Sequence, residues 1–82
     1  MKLEDKTEYL NGRGECVIIM GETKHHKEYV WSLQGDWYIR ATGQRLGYRI
    51  VRDENGRDVG GEHFPYNSDC LSVAKKVGPY SI

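Results

Sequence analysis

The sequence has no surplus of charge of either sign, because 12 lysines and arginines balance 12 aspartates and glutamates. Proteins that attract nucleic acid or acidic membranes generally carry a basic surplus, so the composition argues against that class. Long apolar runs are also missing. The longest, Cys16–Met20, falls far short of the ~18–20 residues that cross a bilayer, and no apolar stretch follows a basic start as in a signal peptide. We therefore expect a soluble, cytoplasmic protein.

Cysteine is scarce, with Cys16 and Cys70 as the two cysteines of the chain. At most one disulfide can form, and both cysteines lie in apolar patterns that predict core positions. His25, His26 and His63 show none of the spacings of the recurring zinc motifs. Nucleophile-elbow, phosphate-binding and dinucleotide-binding motifs are absent as well. We expect no enzyme activity, no cofactor and no metal site.

Glycine is abundant, at 10 of 82 residues, and glycine at this density marks many tight turns. A chain this short forms one domain, residues 1–82, with a small core. The turn Asn11–Gly14 precedes an apolar strand at residues 15–20, which we place centrally in a sheet. Residues 21–28 have no apolar side chain and predict a solvated loop. Residues 1–8 read as a loose lead-in from which Leu3 can dock.

Two tryptophans follow on adjacent strands, separated by a turn at Gln34–Asp36. Period-two alternation places alternate residues of each strand on one face. We assign one face to the core and the other to solvent, where Tyr38 and Arg40 would lie. The predicted core face consists of Tyr29, Trp31, Leu33, Trp37 and Ile39.

The next hairpin, centred on residues 53–57, admits two registers. A two-residue loop would place Asp53 opposite Asp58, whereas a three-residue loop with left-handed Gly56 pairs Arg52 with Asp58 and Val51 with Val59. Unlike charges opposite one another stabilise a sheet by roughly 0.2–1 kcal/mol and like charges destabilise it. The three-residue loop is therefore favoured, and residues 60–61, both glycine, predict a bulge in the return strand.

The end of the chain predicts one short helix, at about residues 68–77. Cys70, Val73, Ala74 and Val77 have the spacing of an apolar helical stripe, and Gly78 with Pro79 would end the helix. The predicted fold is α+β and mostly β, a small, strongly bent antiparallel sheet or partly open barrel of five to six short strands with this C-terminal helix.

Arginine and tyrosine give the one functional signal. Five arginines lie between residues 37 and 57 against Asp53 and Glu54, a local surplus of three positive charges. Small barrels that bind single strands combine such a face with stacking aromatics. Tyrosine and arginine are equally typical of protein interfaces. The candidate binding residues are Tyr38, Arg40, Arg45, Tyr48 and Arg49.

The chain also resembles a group of small phage and prophage proteins with SH3-like β folds. The likeness rests on Tyr9 followed by Asn11–Arg13, on Tyr29 with Trp31, and on three further motifs. Together these features span about two-thirds of the chain. The further motifs are Gly35-x-x-Tyr38, Thr42-Gly43-x-Arg45 and Asp69-x-Leu71. The turn at Thr42–Arg45 and the insertion Tyr48–Gly61 depart from the pattern. The resemblance implies a phage or mobile-element origin and a bacterial host cytoplasm.

Two functions stay open at this point. The first is a non-enzymatic module that binds, and thereby inhibits, a host or defence protein, as the resemblance implies. The second is a nucleic-acid-binding barrel that uses the arginine and tyrosine face. An unpaired strand edge would also permit a homodimer.

Overall fold

The computed structural model describes residues 1–65 and 72–81. These residues form one antiparallel sheet of seven strands. The strands are β1 (Thr7–Asn11), β2 (Cys16–Glu22), β3 (Tyr29–Ser32), β4 (Trp37–Ile39), β5 (Arg45–Arg52), β6 (Asp58–Pro65) and β7 (Val73–Pro79). Their order across the sheet is β6-β5-β4-β3-β2-β1-β7. The mostly β prediction is confirmed, and so is the internal position of the strand at residues 15–20, which is β2.

The predicted C-terminal helix is wrong for residues 73–77, which lie in β7 and pair with β1. Residues 68–71, the start of that helix, and Cys70 with them, lie outside the described part. Of the proposed apolar stripe, Val73 is buried, whereas Ala74 and Val77 are exposed. So short a helix is marginal without packing on one face, while strand pairing with β1 satisfies the backbone directly. Within the described residues no helix is long and apolar enough to span a membrane.

The barrel prediction is not supported, because the strand order is linear and ends at β6 and β7. Part of the sheet nevertheless curls. The amide of Val73 in β7 donates to the carbonyl of Gly43 at 2.9 Å, and the amide of Leu3 donates to the carbonyl of Arg40 at 2.8 Å. Both bonds bring the far side of the sheet back to the turn that follows β4. We call the curled part, β1–β4 with β7 and the lead-in, the body.

The core lies inside this curl and draws on every strand of the body. Leu3 docks from the lead-in at 1% exposure, and the hydroxyl of Tyr9, itself fully buried, accepts the amide of Glu4 at 2.7 Å. The cluster consists of Leu3, Tyr9, Val17, Ile19, Val30, Tyr38 and Val73. The predicted docking of Leu3 is confirmed, whereas the other residues of the lead-in, 1, 2 and 4–6, are exposed.

The alternation predicted along β3 and β4 is present, but the predicted core face is the wrong one. Val30 and Tyr38 are 0% and 2% exposed, whereas Trp31 and Leu33 are 40% and 51% exposed. The tryptophans do lie opposite one another on adjacent strands.

Three hairpin turns share one construction. In each, the first residue donates its amide to the fifth residue's carbonyl and accepts the amide of a glycine in the fourth place at 2.9–3.0 Å. The first residue's side-chain oxygen also accepts an amide from within the turn. The glycines have φ of 78–98°, which side chains with a Cβ disfavour. The turns are Asn11–Glu15, Ser32–Asp36 and Asp53–Arg57.

The last of these turns confirms the three-residue loop of the β5–β6 hairpin. Arg52 lies opposite Asp58, and their side chains form an ion pair at 3.3 Å. The predicted pair of Val51 with Val59 is wrong, because Val51 lies opposite Gly60. Val59 therefore has no residue opposite it, and β6 bulges next to the predicted glycines. Gly60 has φ of 149°.

The β5–β6 hairpin leaves the body as a two-stranded ribbon, which we define as residues 48–62. Every residue of the ribbon is exposed except Asp53, which is half-buried. The molecule is accordingly elongated, at 48 × 25 × 20 Å. Its two halves thus have different packing, one around a core and one without.

Candidate binding surface

Tyr38 is 2% exposed in the core, so its predicted place on the outward face is wrong. Burial, together with the nearby Asp36 carboxylate, raises the pKa of Tyr38 to about 12. A neutral phenol packed among Leu3, Val30 and Val73 has no surface to offer a partner. The alternation that placed Tyr38 was right, and the choice of the solvent face was not.

Arg40 and Arg45 serve the architecture in the structure. The Arg40 guanidinium donates to the Leu3 carbonyl and to the Asp5 carboxylate, both at 2.6 Å, and its side chain is 17% exposed. It therefore fastens the lead-in to the end of β4. Arg45 forms an ion pair with Asp36 at 3.1 Å. Neither guanidinium forms part of an open basic face.

Tyr48 and Arg49 remain at the surface but on opposite faces, because they are neighbours in β5. Tyr48 is 62% exposed. Arg49 pairs with Glu62, directly opposite on β6, and lies 4.9 Å over the ring of Phe64. The structure therefore does not unite the five predicted residues in one site.

Aromatic side chains instead gather on the face of the sheet opposite the core. Trp31 lies opposite Trp37 on β3 and β4, and Tyr48 lies opposite His63 on β5 and β6. Cross-strand partners share a face, and so do residues two apart in a strand. We call this set the aromatic face. It consists of Tyr29, Trp31, Trp37, Tyr48, Ile50 and His63.

His63 is the centre of the ring contacts on the aromatic face. Its imidazole stacks on Trp37 with centroids 4.2 Å apart and planes at 12°, and it meets Tyr48 at 5.1 Å and Tyr29 at 6.0 Å. Leu46, opposite Trp37 on β5, is 6% exposed. Ring pairs of this kind contribute about 0.5–1.5 kcal/mol each. The contacts hold the rings in fixed positions across β3 to β6.

The position of the Tyr48 ring requires a residue without a side chain at position 61. A Cβ on Gly61 would lie 2.0 Å from the Tyr48 hydroxyl oxygen, so the phenol ring lies over the bare backbone of β6. Ile50 faces the same glycine across the strands and is 50% exposed. The aromatic face therefore continues from the body onto the ribbon.

Two open depressions border these rings. One, of about 420 Å³, lies beside Trp31 and Trp37 and also has Glu22 and Lys24 in its wall. The other, of about 230 Å³, lies against Tyr48 and His63. Both are wide and shallow, which suits the side chains of a partner surface rather than an enclosed small molecule.

Cys16 is exposed, contrary to its predicted core position. Its thiol donates a hydrogen bond to the Glu8 carboxylate at 2.7 Å, and this bond is the main reason that the pKa of Cys16 is raised. A raised pKa reduces the thiolate that a nucleophile needs. Elsewhere in residues 1–65 and 72–81, no three His, Cys, Asp or Glu side chains gather as potential metal ligands.

Comparison with known proteins finds no matching family model, no matching curated protein and no matching solved structure. The resemblance to phage β proteins stays a prediction for that reason. The surface just described is the basis for a functional proposal.

Sequence reasoning missed His63 and misassigned the tryptophans. The run Tyr29–Leu33 carries large apolar residues at odd positions, which indicated a core face. The alternative core face carries Val30 and Tyr38, which lie opposite one another and follow the same period-two alternation. Nothing local to the run ranks one face above the other.

Proposed function

We propose that this protein is a non-enzymatic binding module that acts by occupying a surface of another protein. The observation that carries the proposal is the aromatic face, where Trp31, Tyr48 and Ile50 are 40%, 62% and 50% exposed. Folded domains rarely expose large contiguous apolar surfaces, and those that occur mark interaction sites. Tryptophan and tyrosine are also the residues most enriched among interface hot spots.

The stacking around His63 favours tight binding. A side chain that is already fixed loses little conformational entropy when a partner covers it, whereas each mobile side chain costs about 0.5–1.5 kcal/mol. Trp37, His63 and Tyr48 support one another before any partner arrives. The aromatic face is thus preorganised, as expected of a protein that blocks a target by occupying it. A phage origin and a bacterial host or defence protein as target belong to the same proposal.

Nucleic-acid binding is the weaker reading. Arg40, Arg45 and Arg49 each hold a carboxylate of this chain, and Tyr38 is buried. A phosphate backbone would have to displace those carboxylates. Oligonucleotide binding at low salt, where phosphate contacts are strongest, would reverse this ranking.

A matched pair of charge insertions tests the proposal. Ile50 and Val77 are exposed to nearly the same extent, 50% and 52%, but only Ile50 belongs to the aromatic face. Immobilised wild-type protein and the Val77→Glu variant should retain the same proteins from a bacterial lysate. Ile50→Glu and Trp31→Ala should lose them, with affinity for a purified target reduced by about tenfold or more.

Equal retention by Ile50→Glu and Val77→Glu would contradict a role for the aromatic face. Ile50 lies on the ribbon and outside the core, so Ile50→Glu should leave the sheet intact. Circular dichroism of each variant checks that it does.

A further inference from the structure

The two edges of the sheet differ in how they are protected against pairing. At the β7 edge, the pairing with β1 shifts register twice, and the strand carries Lys75 and Lys76 and ends at Pro79. Bulges, lysines and prolines are the usual devices that keep an edge from recruiting another strand. The β7 edge therefore has all three.

The β6 edge lacks most of these devices. Six consecutive residue pairs, from Leu46 with Pro65 to Val51 with Gly60, run along β5 without a register shift. No lysine or arginine occurs in β6, and in the described part of the chain no strand pairs with its outer side. Its own charges are the carboxylates of Asp58 and Glu62.

The direction of the β6 backbone groups follows from the register. The Ile39 amide donates to the Gln44 carbonyl, so the backbone groups of Gln44, and by alternation those of Leu46 and Tyr48, point towards β4. Those of Arg49 then point towards β6, where they meet Glu62.

The backbone groups of Gly61 and His63 consequently point away from the sheet. Within residues 1–65 and 72–81, no backbone hydrogen bond engages these two donor and acceptor pairs on the outer side of β6. The next outward position is Pro65, which has no amide to donate.

The side chains beside these groups select by chemistry. An incoming residue next to His63 would lie on the aromatic face beside Tyr48, which favours an apolar side chain. Its neighbours would lie on the opposite face beside Glu62, whose carboxylate pairs with Arg49 but whose side chain is 47% exposed, so its open side favours a basic side chain. Period-two alternation turns this into a pattern of alternating apolar and basic residues.

We propose that an extended segment of the partner, alternating apolar and basic side chains, adds to β6 as a further strand. This inference rests on the proposed function and specifies how the partner is held. Main-chain hydrogen bonds to Gly61 and His63 supply affinity, and the two rows of side chains supply specificity, as in other cases of strand addition. A second copy of this chain is the competing occupant, and its β6 would bring acidic rather than basic residues to the edge.

A synthetic peptide that alternates leucine and lysine and matches β6 in length is the probe. Its control alternates leucine and glutamate. Binding of the lysine peptide should protect the amides of Gly61 and His63 from hydrogen exchange in the wild-type protein. The glutamate peptide should bind at least about tenfold more weakly.

Two variants distinguish the contribution of the His63 backbone amide from that of its imidazole ring. His63→Ala and His63→Pro both remove the imidazole, but only proline removes the outward amide, and a proline is tolerated in an edge strand at such a position. We expect His63→Pro to bind the lysine peptide about tenfold more weakly than His63→Ala does. Equal affinities, or unprotected amides at Gly61 and His63, would overturn strand addition.

Two further outcomes also decide the matter. A wild-type dimer in sedimentation that becomes monomeric in His63→Pro would assign the edge to a second copy and overturn the proposal. A protein target that binds His63→Pro as well as His63→Ala but is lost from Ile50→Glu would overturn strand addition alone, leaving the aromatic face as the binding surface. A target that binds both His63→Pro and Ile50→Glu as well as the wild type would overturn both strand addition and the aromatic face as the binding surface.

Discussion

The body and the ribbon are built from the same kind of strand, yet only the body buries a core. In the body, β1, β2 and β7 supply residues that are nearly inaccessible, such as Tyr9 and Ile19 at 0% exposure. In the ribbon, Val59 and Ile50 are 61% and 50% exposed on strands of eight residues each. An isolated two-stranded hairpin is marginally stable in water. The ribbon therefore depends on local devices rather than on burial.

Those devices are visible along its length. The turn Asp53–Arg57 is closed by backbone bonds and by the Asp53 carboxylate. Ion pairs of Arg52 with Asp58 and of Arg49 with Glu62 tie the strands together. Exposed pairs of this kind contribute about 0–1 kcal/mol each. The stability of the fold therefore depends mainly on the body, and the ribbon adds only these local interactions.

The largest effect should come from Gly43, where β7 packs against the turn that follows β4. A Cβ there would lie 2.5 Å from Val73 Cγ2, and φ is 79°. Gly43→Ala therefore adds overpacking to backbone strain and should lower the free energy of unfolding by about 3 kcal/mol. Gly14→Ala is the matched control, since its φ is 78° with open space around it, and about 1 kcal/mol is expected. Urea unfolding of both variants measures the difference, and similar losses would show that the closure carries no weight.

A smaller effect separates the two halves at a pair of valines. Val30→Ala removes two buried methyl groups at 0% exposure and should cost about 2 kcal/mol. Val59→Ala, at 61% exposure on the ribbon, should change stability by less than about 0.5 kcal/mol. Chemical denaturation gives both values. A large loss at Val59 would mean that the ribbon belongs to the folding core after all.

Tyr38 gives the body a pH dependence at high pH. Its pKa is raised to about 12 by burial, whereas an unfolded tyrosine titrates near about 10. Between these values the unfolded chain has released the phenol proton and the folded chain still holds it. Stability should therefore fall as pH rises above about 10, with a slope of at most about 1.4 kcal/mol per pH unit, and should be unaffected by this group at neutral pH. Urea midpoints across that window measure the slope, and Tyr38→Phe should flatten it. An unchanged slope in Tyr38→Phe would assign the effect to other groups.

The hairpin turns and the register of the ribbon can be predicted from local sequence. The turns that contain Gly14, Gly35 and Gly56 are predicted by their glycines and neighbouring polar residues, and all three form hairpin turns. Charge pairing gave the correct register of the ribbon at Arg52 and Asp58. These features depend on a few neighbouring residues, whose chemistry is fully present in the sequence.

The errors concern properties of the whole sheet. Which face of β3 is buried depends on which way the sheet curls, and that depends on contacts as distant as Val73 with Gly43. Pairing with β1, which is as distant in sequence, makes residues 73–77 a strand despite their helical spacing. The candidate site failed for the same reason, because the face assigned to solvent, with Tyr38, is the interior.

A small effect on stability, with a local effect on the aromatic face, is expected at Gly61. A Cβ there would meet the Tyr48 hydroxyl oxygen at 2.0 Å, but Tyr48 is 62% exposed, so Gly61→Ala should displace the ring into solvent rather than unfold the sheet. Stability should change by less than about 1 kcal/mol, since no core residue is touched. Displacing Tyr48 breaks its contact with His63, which should appear as a change in the ring proton shifts of His63 by NMR, while the core residue Val30 keeps its methyl shifts. If the core signals shift instead, the ribbon and the body are coupled through Tyr48 and the division between them does not hold.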